Sequence, residues 1–117
     1  MKQEQKDLLL KDLCARLPYG VKISVDDKVE TVQGINILDT VVEYDSWLSS
    51  DIEEVRPYLF PLSSMTEEQL LELSSISFEN SIDSSIKTLN WCYKNHLDIN
   101  NLIPMGLAND ATGLNIY

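Results

Sequence analysis

Residues 21–44 read VKISVDDKVETVQGINILDTVVEY, and this stretch decides the fold of the chain. Apolar and polar residues alternate over its first five positions, which is typical of a strand with one buried face. Turn residues at Asp26-Asp27 and Asp39-Thr40 separate this strand from two further strands, predicted over 29–38 and 41–44. Because very short links join the three strands, the sequence predicts an antiparallel meander.

An amphipathic helix is predicted before this meander, over residues 3–17. Leu9, Leu13 and Leu17 recur at a spacing of four residues and would line its buried face. Pro18 cannot continue a helix, so the chain is expected to turn there into the first strand.

The segment after the meander has a less regular pattern. Residues 45–51 are interpreted as a loop, and 52–55 as either a helical turn or the start of a short fourth strand. Pro57 and Pro61 bracket residues 58–60, and proline in a sheet is confined to edges and irregular segments. These three residues are therefore interpreted as an extended, buried linker.

Helical signals dominate the C-terminal half. Thr66 and Gln69 form a capping box, which predicts a helix that runs to about Leu73. A longer helix is predicted to begin near Glu79, and a short final helical piece, broken near Pro104, is predicted over 97–108. The expected core-facing stripe of the longer helix consists of Phe78, Ile82, Ile86, Leu89 and Tyr93.

These elements predict a single α+β domain over residues 1–117. An N-terminal helix precedes a small antiparallel meander of three or four strands, which could curl as in an SH3-type barrel. The C-terminal helices pack on one side. Trp91 lies almost opposite the expected core-facing stripe, so another segment must cover it or it stands exposed.

The charge of the chain is strongly negative. Nineteen Asp and Glu oppose nine Lys and Arg, and the formal net charge is −10. Residues 1–20 carry +1, so residues 21–117 carry −11. Without a basic patch to neutralise phosphates, direct binding to nucleic acid or to an anionic membrane is disfavoured. No apolar run is long enough for a membrane span and the first residues are polar, so the expected location is the cytoplasm.

Side chains that could carry out chemistry are few. His96 lies four residues after Cys92 on one helix face, and a Cys–His pair can act as nucleophile and base. The favoured alternative is that Cys92 packs as a small hydrophobe and His96 borders the helix C-terminus. One His and two distant Cys do not supply the ligands of a metal site, and no glycine-rich phosphate loop is present. The sequence predicts no catalytic residue, no cofactor and no metal.

Aromatic residues are the predicted contacts with a protein partner, namely Trp47, Tyr58, Phe60 and Trp91. Tyr58 and Phe60 alternate about Leu59 and are assigned to opposite faces of the extended segment, one in the core and one on the surface. An exposed aromatic side chain here would mark a partner-binding patch, although core packing is the simpler interpretation. A homo-oligomer is compatible with such a patch.

Two segments of the second half resemble known sequences. The first is RPYLFPLSSMTEE over 56–68. The second runs from Trp91 through NHLD at 95–98 to Leu-Ile at 102–103 and Gly-Leu-Ala at 106–108. Together they resemble a large group of small uncharacterised proteins from gut-type Bacteroidetes and their prophages. The resemblance implies a mobile-element or prophage setting and no particular activity.

Three functions remain open from the sequence. The first is a non-enzymatic accessory or interaction protein of a prophage or mobile element, which acts through protein contacts. The second is an acidic protein that mimics the charge of nucleic acid and blocks a basic host or phage protein. The third and least favoured is a small enzyme that uses Cys92 or His96.

Overall fold

The computed structural model describes residues 1–44, 48–78 and 81–117. The helices of this part of the chain are α1 (Gln3–Arg16), α2 (Glu67–Ser77) and α3 (Ile82–Lys94). The strands are β1 (Lys22–Val25), β2 (Lys28–Asn36), β3 (Val41–Tyr44), β4 (Leu48–Asp51), β5 (Arg56–Leu59) and β6 (Asn109–Asp110). Short 3-10 helices cover Leu17–Tyr19, Ile52–Glu54 and Leu62–Ser64.

The strands form one mixed sheet in the order β4-β3-β2-β1-β5-β6. Neighbouring strands from β4 to β5 are antiparallel, whereas β6 runs parallel to β5. The α+β class, the N-terminal helix, the meander and the C-terminal helices are confirmed. The sheet is larger than predicted, and within the described residues β4 and β6 form its two edges rather than closing an SH3-type barrel.

Two differences from the sequence prediction lie after the meander. Residues 48–51, predicted as part of a loop, form β4 because they pair with β3 from Tyr44 opposite Leu48 to Val41 opposite Asp51. The ambiguous segment that follows is a helical turn over Ile52–Glu54, begun by the Asp51 carboxylate, which accepts a hydrogen bond from the Glu53 N–H at 3.0 Å.

The segment predicted as a buried linker contains strand β5. β5 pairs with β1 on one side, and its pairing with β6 on the other side begins only at Tyr58. Pro57, which has no N–H to donate, therefore has a neighbouring strand on the β1 side alone. Leu59 directs its carbonyl to the Ala111 N–H on the β6 side, and Pro57, two residues earlier, directs its nitrogen to that same side. Because no strand of the described residues pairs with Pro57 there, the missing N–H removes no hydrogen bond of the sheet.

The predicted helical piece over 97–108 is wrong, because the chain forms successive turns there. The Asp98 carboxylate accepts hydrogen bonds from the N–H groups of Leu102 at 2.8 Å and Ile103 at 2.9 Å. Asn101 and Gly106 have φ angles of 59° and 75°, which lie in the left-handed region and interrupt a right-handed helix.

Helix α1 and the sheet share the main core. Leu9 and Leu13 are fully buried and pack with the apolar side chains of β1 to β3. Removing a leucine or isoleucine side chain of this kind from water is worth about 1.5–3 kcal/mol. A separate, smaller cluster of Trp91, Cys92 and Leu97 joins the C-terminal helices to the body of the domain.

A buried ion pair connects α1 to the segment after α3. Arg16 Nε donates to Asp12 Oδ2 at 2.7 Å, and both side chains are fully buried. Arg16 Nη2 also donates to the Leu97 carbonyl at 2.6 Å, and Asn100 Nδ2 donates to Asp12 Oδ1 at 2.8 Å. The pair therefore holds two parts of the chain that are more than 80 residues apart.

Candidate interaction surface

Trp91, one of the predicted partner contacts, is a core residue. Its side chain is 7% exposed and packs in the cluster with Cys92 and Leu97. Partly buried side chains surround this cluster: Phe60, Met65, Leu73, Ile76 and Ile99. Trp91 therefore does not reach a partner in this conformation, and helix α2 supplies part of its cover.

Tyr58 and Phe60 are both half-buried. Their assignment to opposite faces is wrong, because residues two positions apart in a strand point to the same face, and Leu59 between them is fully buried on the other. The Phe60 ring lies 5.9 Å from the ring of Tyr117, and its backbone forms a bridge to Leu97. Tyr58 and Phe60 are thus partly covered by the C-terminal segment. Trp47, the fourth predicted contact, lies outside the described residues.

The buried face of helix α3 is opposite to the face that the sequence predicts to be buried. Phe78 and Ile82, at the start of the expected core-facing stripe, are 87% and 83% exposed. Ile86 and Leu89 are exposed as well, and only Tyr93 at the end of the stripe is half-buried. The buried face carries Trp91 and Cys92 instead.

Small hydroxyl side chains allow this unexpected face of α3 to be buried. Ser84 is buried and Thr88 is half-buried. The Thr88 hydroxyl donates to the Ser84 carbonyl at 2.8 Å, and the Ser84 hydroxyl donates to the Ser81 carbonyl at 3.0 Å. Because both hydroxyls are satisfied within the helix, their burial leaves no unpaired donor.

The result is an apolar surface on the two packed helices, hereafter the α2–α3 surface. It consists of six large side chains that are all exposed: Leu70, Leu71, Phe78, Ile82, Ile86 and Leu89. On α3, Ile82, Ile86 and Leu89 follow the i, i+4, i+7 spacing of one helix face. On α2, Leu73 and Ile76 face the Trp91 cluster, while Leu71 faces away from it and Leu70 is 48% exposed.

Carboxylates border the α2–α3 surface. Glu67, Glu68 and Glu72 on α2 and Asp83 on α3 are exposed. Lys87 lies 3.2 Å from Asp83 in an exposed i, i+4 ion pair, which neutralises that carboxylate locally. Among the described residues, the three glutamates of α2 are in no ion pair.

Leu70 and Leu71 are the residues of this surface that the sequence interpretation missed. The sequence feature that could have identified Leu71 is the distribution of apolar residues around the axis of α2. In a helix of 3.6 residues per turn, Leu71 lies about 160° around the axis from Leu73. One of the two must therefore face away from the core, and Leu71 is 72% exposed.

The Cys92–His96 pair has electrostatics unlike those of a Cys–His nucleophile. Burial raises the pKa of the Cys92 thiol, which Arg16 only partly offsets. Burial, followed by the charges of Arg16 and Lys22, lowers the pKa of His96 to about 4. Both shifts oppose the thiolate–imidazolium state on which such nucleophiles depend.

Other possible sites are sparse in the described part of the chain. No group of three or more His, Cys, Asp or Glu side chains there could hold a metal ion. A cleft of about 290 Å³ lies between the N-terminus, Glu53, Arg56 and Met105. Glu53 is already bound by Lys6 at 3.2 Å and by the amino terminus at 3.6 Å.

No protein-family model, curated protein or solved structure matches this chain. No helix within residues 1–44, 48–78 and 81–117 is long and apolar enough to cross a membrane.

Proposed function

We propose that this chain is a non-enzymatic accessory protein that acts through protein contacts, and that the α2–α3 surface is the contact site. The observation that carries the proposal is the group of six exposed large apolar side chains on two neighbouring helices. The proposed setting in a prophage or mobile element rests only on the resemblance of two segments, residues 56–68 and 91–108.

Exposure of this apolar area has a free-energy cost that contact with a partner would remove. None of the six side chains belongs to either core cluster. Elsewhere in the described residues the exposed apolar side chains form smaller groups, such as Ile37 and Leu38 in the β2–β3 turn, or stand singly, such as Leu48 on the edge strand β4. Small groups of that kind are ordinary, whereas six large apolar side chains on paired helices favour a binding surface.

The two helices are held in place before any partner binds. Capping boxes fix both N-termini: Thr66 accepts from the Gln69 N–H at 3.1 Å, and Ser81 accepts from the Ser84 N–H at 3.1 Å. Leu73 on α2 packs against the Trp91 cluster of the body. A surface that is ordered in advance loses less conformational entropy on binding.

A second candidate function is an acidic mimic of nucleic acid that blocks a basic protein. The observation in its favour is that all described carboxylates are exposed except those of Asp12, Glu30 and Asp98. Binding of this kind would weaken steeply as salt is added, whereas contact through the α2–α3 surface would depend on salt only weakly.

Affinity capture with matched variants tests the proposed function. The triple variant Leu71→Ser, Phe78→Ser, Ile82→Ser removes the most exposed apolar side chains, and Leu38→Ser removes one that is 95% exposed at the far β2–β3 turn. We expect a protein retained by the wild-type chain and by Leu38→Ser to be lost from the triple variant. The same set of proteins on all three would contradict the proposal.

A separate variant addresses the enzyme alternative. Cys92→Ala should leave any biological effect of the protein unchanged, since the proposed function does not use the thiol. Loss of that effect in a protein with an unchanged circular dichroism spectrum would favour the enzyme alternative instead.

A further inference from the structure

We propose that the partner of the α2–α3 surface is an amphipathic helix whose apolar face is bordered by Lys and Arg. This inference rests on the proposed function and adds the chemistry of the partner. Two features carry it: the shape of the apolar surface and the charge along its border.

The shape suits a helix laid along the surface. Ile82, Ile86 and Leu89 form a strip about 10 Å long on α3, given a rise of 1.5 Å per residue. Leu70 and Leu71 are further exposed apolar side chains on helix α2, which packs against α3. A partner helix with apolar residues at i, i+4 and i+7 would bury its face on such an area, as in helix-in-groove recognition.

The negative charge at the border of the α2–α3 surface favours a partner that carries Lys or Arg. Glu68 and Glu72 are four residues apart, so they form one row along α2, and this row lies beside Leu71 on the helix surface. Glu67 adds a third exposed carboxylate near the same end of α2. In the part of the chain that the structure describes, none of the three has a cationic partner. The acidic row is therefore available to pair with Lys or Arg of an incoming helix.

The same charge disfavours the other occupants. A second copy carries the same acidic row in place of a basic border, and the net charge of −10 on each chain would repel it. An anionic membrane surface would be repelled as well. A helix with basic borders gains the apolar contact and complementary charge together, and charge pairs at the rim favour the correct partner and its rate of association.

Three synthetic peptides serve as probes against the full chain. The first is an amphipathic Leu/Lys helix with apolar residues at i, i+4 and i+7. The second keeps that apolar face but replaces each Lys by Glu, and the third is the first peptide with its sequence scrambled. Fluorescence anisotropy of labelled peptides, in low and in moderate salt, gives the dissociation constants.

We expect the Leu/Lys helix to bind, and the other two peptides to bind at least about tenfold more weakly. Phe78→Ser with Ile82→Ser should weaken its binding by about tenfold or more, the scale of a lost hot-spot contact. Glu68→Gln with Glu72→Gln should weaken it about threefold or more, as expected for charges at a rim. Leu38→Ser is the control for the apolar variant.

Asp26→Asn with Asp27→Asn is the control for the charge variant, because it removes two exposed carboxylates from the β1–β2 turn, outside the α2–α3 surface. Both residues have positive φ angles, of 48° and 64°, which asparagine also adopts. The inference requires this variant to bind the Leu/Lys helix as the wild-type chain does. An equal loss of binding in the two charge variants would attribute the effect to overall charge and overturn the inference.

Other outcomes also overturn it. Equal binding of the Glu-bordered peptide would leave the apolar surface as the contact site but remove the basic border, so the proposed function would stand without the inference. Equal binding of the scrambled peptide would favour the acidic mimic. Dimerisation in sedimentation experiments that Phe78→Ser abolishes would make a second copy the occupant. Absence of binding by every peptide would also reject the inference, while the capture experiment judges the proposed function separately.

Discussion

The phenol ring of Tyr117 stacks on the imidazole of His96, with ring centroids 3.7 Å apart and 13° between their planes. The Tyr117 hydroxyl accepts a hydrogen bond from the Lys22 N–H at 2.8 Å and donates to the Tyr58 carbonyl at 2.8 Å. Burial raises the pKa of Tyr117 to about 12, so this hydroxyl keeps its proton. The hydroxyl contacts fasten the C-terminal residue to β1 and β5.

We predict that His96 makes the domain less stable in mild acid. Its pKa is about 4 in the folded chain against an ordinary 6.5, so the unfolded chain binds the proton first as the pH falls. The contribution of neutral His96 to the free energy of unfolding is therefore complete above about pH 6.5 and decreases toward pH 4. The loss is about 3 kcal/mol at most. Urea unfolding at several pH values between 4 and 7 measures this loss.

His96→Asn is the matched variant for this measurement. Asparagine accepts the left-handed backbone of position 96, where φ is 58°, and it does not titrate. Subtraction of the variant's pH profile removes the contribution of the carboxylates. If the two profiles have the same slope between pH 4 and 6.5, the buried imidazole does not account for acid sensitivity.

A second prediction concerns the Tyr117 hydroxyl. Tyr117→Phe keeps the ring contact with His96 but removes the hydrogen bonds to Lys22 and Tyr58. We expect a loss of about 1–2 kcal/mol in the free energy of unfolding, because the Lys22 N–H is left without this acceptor. Leu114→Ala, at an exposed position nearby, should change stability by less than about 0.5 kcal/mol. Equal effects of the two substitutions in denaturant unfolding would contradict the role of the hydroxyl.

A third prediction concerns the buried pair of Arg16 and Asp12. Asp12→Asn leaves a fully buried guanidinium without its carboxylate, and we expect a loss of about 3–5 kcal/mol in stability. Asp7→Asn is the control, since Asp7 is exposed on the same helix and its hydrogen bond from Gln3 is at the surface. Chemical denaturation compares the two variants.

The double variant Asp12→Leu, Arg16→Met distinguishes two effects on the free energy of unfolding: loss of the ion pair itself, and burial of a charge that has no partner. It should be more stable than Asp12→Asn, because no buried charge then lacks a partner. A double variant as unstable as Asp12→Asn would show that the hydrogen bonds to Leu97 and from Asn100, rather than the unpaired charge, dominate the loss.

A fourth prediction tests which face of α3 is buried. Trp91→Ala should reduce stability by about 3–5 kcal/mol, because it empties the centre of the smaller core cluster. Phe78→Ala should change it by less than about 0.5 kcal/mol, because the Phe78 ring is 87% exposed. The core-facing stripe expected from the sequence predicts the reverse order. Thermal or urea unfolding of the two aromatic-to-alanine variants decides between them.

The elements that sequence patterns predicted well are those with local signals. The alternation over 21–25, the leucine spacing of α1 and the capping box at Thr66 each act within one element. Strand β6 has no such signal, because Asn109 and Asp110 become a strand only by pairing with Tyr58 and Leu59, about 50 residues earlier. Their assignment requires the tertiary structure.

The buried face of α3 was predicted wrongly for a different reason. The helix has two faces that could be buried, one with Ile82, Ile86 and Leu89 and one with Trp91 and Cys92. Hydrophobic periodicity favours the first face because it contains more large apolar side chains. The structure buries the second, where α2 supplies Leu73 and Ile76 as cover. The sequence therefore shows the α3 part of the candidate site as an apolar stripe, but hydrophobic periodicity alone assigns that stripe to the core.

The position of α2 and α3 in the chain has an evolutionary consequence. Both helices lie between β5 and β6, which are adjacent strands joined in a parallel register of Tyr58 with Asn109 and Leu59 with Asp110. The chain thus leaves the sheet after Leu59 and returns at Asn109, beside the point of departure. Substitutions at Leu71 or Phe78 would therefore change the proposed contact surface without altering a strand register, so the partner preference of these helices can change while the sheet stays constant.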